Sequence, residues 1–214
     1  MYLYSVRSKK HIRIVALSIL TAVLICCFCG CGNKSPVVGG SSEQSGETDS
    51  KEQTIPDYIK GDDLAMRSYE LRFLLAQKKF NSPDDIAVNA LVQYSFCHLF
   101  YDNLIDIPTS GNKLRKVSED GLRARIKKDF GEVKTDITKS DLYNASKKCF
   151  EMWEPPYETE IFYDVSLDIQ GSNTYRAYTT FYTDSTESEI LGKTVLTVRD
   201  NDGQIVIMKM TSSN

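Results

Sequence analysis

The sequence predicts an α+β fold in which N-terminal helices pack on a C-terminal, curved, four-stranded antiparallel meander. Two observations predict this class. The first half of the globular part carries helix caps and apolar residues at helical spacing, whereas the second half alternates apolar and polar residues with period two. Helices and strands that are segregated along the chain in this way are typical of α+β proteins.

The first two helices are predicted from their ends. We expect the first over residues 56–80, where leucines recur at helical spacing, with Asn81 ending it. The motif SPDD at Ser82–Asp85 starts the second, because serine is a favoured N-cap, proline a favoured first residue, and the carboxylates face the positive end of the helix dipole. This helix should reach about residue 103.

Two more helices are expected before the strands. The third should begin near Ser118, with Gly131 as its C-cap. The fourth should begin at Thr138 or Ser140, where TKSD resembles a capping box, and the motif EPP at Glu154–Pro156 should end it.

Four strands are predicted after the helices, over residues 161–169, 174–183, 193–200 and 204–210. The connections between them are short, and DNDG at Asp200–Gly203 has the chemistry of a tight hairpin turn. Consecutive strands joined by short turns pair as an antiparallel meander.

Helices first, a long meander last and a domain of about 160 residues resemble the nuclear-transport-factor-2-like (cystatin-like) cone fold. The resemblance is one of architecture, and no motif carries it. It implies a bent sheet that encloses a pocket. The family usually has a strand or hairpin among its helices, which the sequence pattern does not identify.

The N-terminus has the pattern of an export signal. Basic residues precede an apolar run at Ile14–Phe28, which is followed by small residues. A helix of about 15 residues is about 22 Å long, shorter than the ~30 Å hydrocarbon core of a bilayer. Residues 1–30 are therefore predicted to be a signal peptide, and a permanent membrane helix is the alternative.

The junction that follows resembles the lipobox of bacterial lipoproteins. In FCGC, Gly30 precedes Cys31, as a small residue precedes the lipidated cysteine in that family. Phe28 stands where the family usually has leucine, and Cys29 where it usually has a small residue. The resemblance implies that diacylglycerol is attached to Cys31 and that the protein lies on the outer side of the cell membrane, with the membrane as a partner through this lipid.

Residues 31–55 are predicted to be a lipidated, disordered tether, because they are rich in Ser, Gly, Glu and Gln and offer little apolar surface to bury. Residues 56–214 are long enough for a single α+β domain with one core.

The charge balance disfavours nucleic acid as a partner. The chain has 26 Lys and Arg and 29 Asp and Glu. Residues 1–30 hold four of the bases and none of the acids, which leaves 22 bases against 29 acids and a formal charge of −7. Binding to a phosphate backbone requires a basic surface.

His98 is the one histidine of the predicted mature chain, so any catalytic base or metal site that uses histidine must use it. It could serve as a proton carrier in a pocket lined by Tyr94, Tyr101 and Trp153, with Asp102 nearby. The alternative is a histidine that is hydrogen-bonded at the edge of the core.

Cys97 and Cys149 are the two thiols of the predicted domain. In an exported protein they could form a disulfide between the second and fourth helices, or remain buried free thiols. Neither a glycine-rich phosphate loop nor a complete calcium loop occurs, so no cofactor and no metal is predicted.

Basic residues cluster around the third helix. This surface could meet anionic headgroups or wall polymers, or be a solvated helix face interrupted by acids. Its members are Arg115, Lys116, Arg123, Arg125, Lys127 and Lys128.

The function expected from these observations is that of a membrane-anchored extracellular lipoprotein whose domain binds a small ligand or an envelope partner without catalysis. One alternative is a cone-fold pocket enzyme that uses His98. The other is an accessory subunit of an envelope assembly.

Overall fold

The computed structural model describes residues 12–14, 54–105, 113–154 and 160–214. All helices and strands within these ranges belong to one compact unit. The predicted lipid site at Cys31 and nearly all of the predicted tether and signal peptide lie outside the described residues. Within the described ranges, no helix is both long and apolar enough to cross a membrane.

Three of the four predicted helices are present, with narrower bounds. Helix α1 spans Gly61–Tyr69 and continues as a π-helical turn over Glu70–Leu74. Helix α2 spans Val88–Phe100, and helix α3 spans Glu119–Phe130.

The predicted caps at Ser82 and Gly131 are formed, although the first of them starts a different element. The hydroxyl of Ser82 accepts a hydrogen bond from the backbone N–H of Asp84, but this capping box starts a 3₁₀ turn at Pro83–Asp85 rather than α2. The hydroxyl of Ser118 accepts from the N–H of Gly121 and caps α3. Gly131 ends α3 with a φ of 77°, a conformation that favours glycine.

The C-terminal antiparallel sheet of four strands is confirmed. Its strands are β5 (Phe162–Gly171), β6 (Thr174–Tyr182), β7 (Ile190–Asn201) and β8 (Gln204–Ser213), each paired with the next along the chain. A three-residue strand, β1 (Ile12–Ile14), pairs in parallel with β5 and extends the sheet at that edge. Register shifts interrupt all three antiparallel pairings, and such bulges bend and twist a sheet.

The prediction of a fourth helix is wrong. Residues Ile137–Lys139 form a single 3₁₀ turn, and the rest of the stretch forms strands β3 (Tyr143–Asn144) and β4 (Cys149–Trp153). The side chain of Asn144 accepts hydrogen bonds from Ser146 and Lys147, and Lys148 has a φ of 51°. These features make a turn that a helix cannot accommodate.

A second sheet, which the sequence pattern does not identify, stands among the helices. Strand β2 (Leu114–Ser118) pairs antiparallel with β4, and β4 pairs with β3, giving the order β2-β4-β3. Phe150 and Met152 in β4 are buried, whereas Trp153 points to solvent. The fold is therefore α+β, with a three-stranded sheet in addition to the helices and the meander.

The core lies between the helices and one face of the meander. Helix α1 packs closely on β5, since a Cβ atom added to Gly61 would lie 3.1 Å from Cγ1 of Val165. The hydroxyl of Thr194 in β7 donates to the hydroxyl of Ser68 in α1 at 2.9 Å. Large side chains that are fully buried fill the space, including Phe80, Tyr94, Phe96, Phe130, Phe150 and Phe181.

Candidate functional site

The three helices bring a group of polar side chains together inside the protein. We call this group the buried polar cluster, and its members are Arg67, Glu70, Tyr94, His98, Arg125 and Asp129. Helix α1 and its π-helical turn supply the first two, α2 the next two, and α3 the last two.

His98 pairs with a carboxyl group that the sequence did not indicate. Its Nε2 lies 2.7 Å from Oε2 of Glu70, a distance at which one proton joins the two atoms. The other oxygen of Glu70 accepts a hydrogen bond from the backbone N–H of Leu104 at 2.9 Å. Glu70 stands at the start of the π-helical turn, a rare geometry that is frequent at functional sites.

The pair is enclosed. The side chain of His98 is 2% exposed and that of Glu70 is 0% exposed. The ring of Tyr94 stacks on the imidazole with 4.1 Å between ring centroids. Burial and the nearby positive charges of Arg67 and Arg125 lower the pKa of His98 to about 3, so the imidazole is neutral at physiological pH.

Two arginines complete the cluster. Arg67 donates a hydrogen bond to the hydroxyl of Tyr94 at 2.9 Å, and its Nη1 lies 3.5 Å from Oδ1 of Asp129. Arg125 binds both oxygens of Asp129, at 2.7 and 3.0 Å. With His98 neutral, two guanidinium groups face two carboxyl groups, so the positive charges inside the protein are paired.

This arrangement can hold a proton between His98 and Glu70, but a substrate does not reach it in the described structure. A proton carrier must come within hydrogen-bond distance of the group that it serves. The cluster instead joins α1, α2 and α3 through hydrogen bonds, which fixes the packing of the helices.

The predicted pocket residues are divided between two places. Tyr94 and His98 are stacked inside the cluster, whereas the hydroxyl of Tyr101 donates to Glu154 at 2.7 Å and accepts from Nε of Arg115 at 3.1 Å. The hydrogen bond from Tyr101 lowers the pKa of Glu154. Trp153 is 57% exposed. The expected pocket lined by all four residues is therefore not formed. The negative charge of Asp102 acts on His98 and opposes the lowering of its pKa.

Cys97 and Cys149 are both free thiols in the structure. Cys97 is fully buried in α2, and burial raises the pKa of its thiol. Cys149 is partly exposed and lies in β4 rather than in a helix. Of the two predicted alternatives, the structure has the free thiols, and the element that carries Cys149 is a strand rather than the predicted fourth helix.

The basic surface around α3 is largely neutralised. Arg123 pairs with Glu119 at 2.7 Å, and Lys127 pairs with Glu132. The other partnered cations of this surface bind carboxylates in the same way, namely Arg115 with Glu154, Lys116 with Glu151, and Arg125 with Asp129. The interpretation as a solvated helix face interrupted by acids therefore fits better than that of an anion-binding surface.

A groove of about 200 Å³ lies between α3 and the segment 131–137. Its lining includes the apolar residues Ile126, Val133 and Ile137. Ligand pockets usually have volumes of about 300–1,000 Å³, so this groove suits a fragment-sized molecule at most.

Metal binding finds no support in the described ranges, where no group of three His, Cys, Asp or Glu side chains is placed to hold an ion. No family model, curated protein or solved structure matches the chain.

Sequence reasoning identified His98 and its neighbour Tyr94 but missed the other members of the buried polar cluster. Arg125 and Asp129 are four residues apart on one helix, which is a readable signal for an ion pair. Glu70 gave no signal, because the π-helical turn that carries it into the core changes the spacing on which helical patterns depend.

Proposed function

We propose that this protein is a membrane-anchored extracellular lipoprotein, lipidated at Cys31, whose α+β domain binds an envelope partner without catalysis. The observation that carries the non-catalytic part is the enclosure of His98. The one histidine of the domain is 2% exposed and is held by Glu70, so acid–base chemistry on an outside molecule has no histidine to use.

The proposed anchoring is supported by the sequence of the predicted signal peptide and by the tether. With a root-mean-square reach of about 25 Å for roughly 22 flexible residues, the tether would keep the domain close to the bilayer. A partner of the domain would then be a component of the envelope near the membrane surface.

Within the α+β class, we propose that the fold is cone-like. The register shifts between consecutive strands of the meander support a bent sheet. The three-stranded sheet among the helices supports it as well, because a strand or hairpin at this place in the chain is what the cone-fold resemblance implies.

The intact mass of the protein extracted from its own membrane tests the anchoring. We expect the mass of residues 31–214 plus a diacylglyceryl group on Cys31. A control with Cys31→Ala should keep the signal peptide and lack the lipid. An unmodified full-length mass in the native protein would refute the proposal.

Enzyme activity is the rival function, and one observation favours it, namely the distance of 2.7 Å between His98 and Glu70. Hydrogen exchange of the Leu104 amide, which donates to Glu70, separates the two functions. Exchange only through global unfolding supports a structural cluster, whereas rapid exchange in the native protein would show that the pair opens to solvent.

A further inference from the structure

The outward side of the meander carries cations that differ from those around α3. Along β6, β7 and β8, inward residues such as Ala177, Leu196 and Met210 are fully buried. Their neighbours on the other side of the sheet include three basic residues, which we call the outer cation cluster: Arg176, Arg199 and Lys209.

The register places these three residues around one threonine. Thr197 in β7 lies opposite Arg176 in β6 and opposite Lys209 in β8. Arg199 lies two residues further along β7 on the same face. With strands about 4.8 Å apart and a rise of about 3.3 Å per residue, the three Cα atoms are about 8–10 Å from one another. Such long side chains can converge on one anionic group.

No salt bridge neutralises this cluster within the described part of the chain. Asp168 lies opposite Arg176 in register, and its carboxylate accepts a hydrogen bond from the side chain of Gln170 at 2.5 Å. In α3, by contrast, three of the cations have a carboxylate partner.

We propose that the outer cation cluster binds the phosphates of an anionic phosphodiester polymer in the envelope, an inference that rests on the proposed extracellular binding function. Residues 55–214 contain 20 bases and 25 acids, so a polyanion meets net repulsion from the domain as a whole and attraction at this local group of cations.

The surroundings of the cluster favour a polymer over other anionic partners. Acids stand at both ends of the sheet, including Asp184 and Glu187 before β7 and Asp202 in the hairpin, so a flat anionic bilayer would meet negative charge beside the cations. A single small anion binds weakly at an open surface, where water solvates both the anion and the cations. A chain of repeated phosphates places neighbouring charges near the three cations and can rebind after one phosphate dissociates.

The test uses the full lipoprotein, purified in detergent from its own membrane. Binding of a soluble poly(glycerol phosphate) chain is measured by calorimetry at two salt concentrations. The cluster variant carries Arg176→Gln, Arg199→Gln and Lys209→Gln. The control carries Lys78→Gln, Lys79→Gln and Lys134→Gln, which removes the same charge from exposed sites elsewhere.

We expect the native protein and the control to bind within twofold of each other, the cluster variant to bind at least tenfold more weakly, and binding to weaken as salt increases. Equal binding by both variants, or no binding by the native protein, would overturn the proposal. Stronger binding to phosphatidylglycerol vesicles, to polyglutamate or to inorganic phosphate than to the polymer would also overturn it. The intact mass of the same preparation reports on the anchoring independently, so the two proposals can fail separately.

Discussion

At the scale of single residues, the buried polar cluster is the costly feature of this protein. Burying charged groups is unfavourable unless each is paired and hydrogen-bonded. The structure meets this condition with two carboxyl groups, two guanidinium groups and a neutral imidazole in contact. The stability of the fold should therefore depend on pH and on the integrity of each pair.

Replacing His98 should change how stability depends on pH. The folded chain keeps His98 neutral down to about pH 3, whereas the unfolded chain takes up a proton on this residue below about pH 6.5. Its contribution is complete above pH 6.5 and is lost as the pH falls from there. Between pH 7.5 and pH 5 the loss should be about 2 kcal/mol.

Urea unfolding of the native protein and of His98→Gln at both pH values measures this difference. Glutamine keeps an N–H donor for Glu70 but does not titrate, so the variant should lose less stability than the native protein over the same range. Equal losses in the two proteins would mean that His98 is accessible to protons in the folded state.

Asp129 should be far more important for stability than a similar acid on the same helix. Asp129 is 3% exposed and holds Arg125 and Arg67, whereas Glu119 pairs with Arg123 near the surface. We expect Asp129→Asn to lower the free energy of unfolding by about 3 kcal/mol, because it leaves buried guanidinium groups without their partner.

The matched control is Glu119→Gln, which breaks an arginine–carboxylate pair of the same spacing in solvent. Its effect in urea unfolding should stay below about 0.5 kcal/mol. Similar effects of the two substitutions would show that the cluster does not support the fold.

At the scale of elements, the sequence predicted what local signals determine. The cap at Ser82, the start of α3 near Ser118, the C-cap at Gly131 and the period-two alternation of β5–β8 all have physical causes within a few residues. Strands β2 and β4 were missed because each is five residues long and exists through pairing with the other, which is distant in sequence.

The wrong prediction of a helix near residue 140 has the same cause, namely strand pairing that is distant in sequence. Leu142, Ala145 and Cys149 fit helical spacing, but Phe150 and Met152 also fit the alternation of a strand. The pairing with β2 and the turn at Asn144 decide between these patterns, and neither can be read from a helical stripe. In the buried polar cluster, likewise, only the Arg125–Asp129 pair had a local signal.

Substitutions of Ser118 test whether a single helix cap stabilises the boundary between β2 and α3. It ends β2 and caps α3, with its hydroxyl accepting from the N–H of Gly121 at 3.2 Å. Ser118→Ala should lower the free energy of unfolding by about 1 kcal/mol, whereas Ser118→Asp should be close to the native protein because aspartate also caps. Urea unfolding at pH 7 measures both, and a destabilised aspartate variant would show that the strand, not the cap, needs serine.

At the scale of the whole molecule, the core that the structure describes consists of residues from Ile55 onwards. The sequence before residue 55 is polar where it is not part of the predicted signal peptide. The tether should therefore contribute reach rather than stability, and the domain should fold without it.

Shortening the chain tests this division of the molecule. A chain that begins at Thr54 should unfold in one cooperative transition, with a Tm within about 2 °C of a chain that begins at Gly32, since a change of 1 kcal/mol shifts the Tm of a protein of this size by about 2–4 °C.

A chain that begins at Leu64 is the control. It loses Gly61, which packs against Val165, and the first turn of α1, so its Tm should fall by several degrees. A lower Tm already in the chain that begins at Thr54 would mean that the tether packs on the domain, and the reach assigned to it in the anchored protein would then be too long.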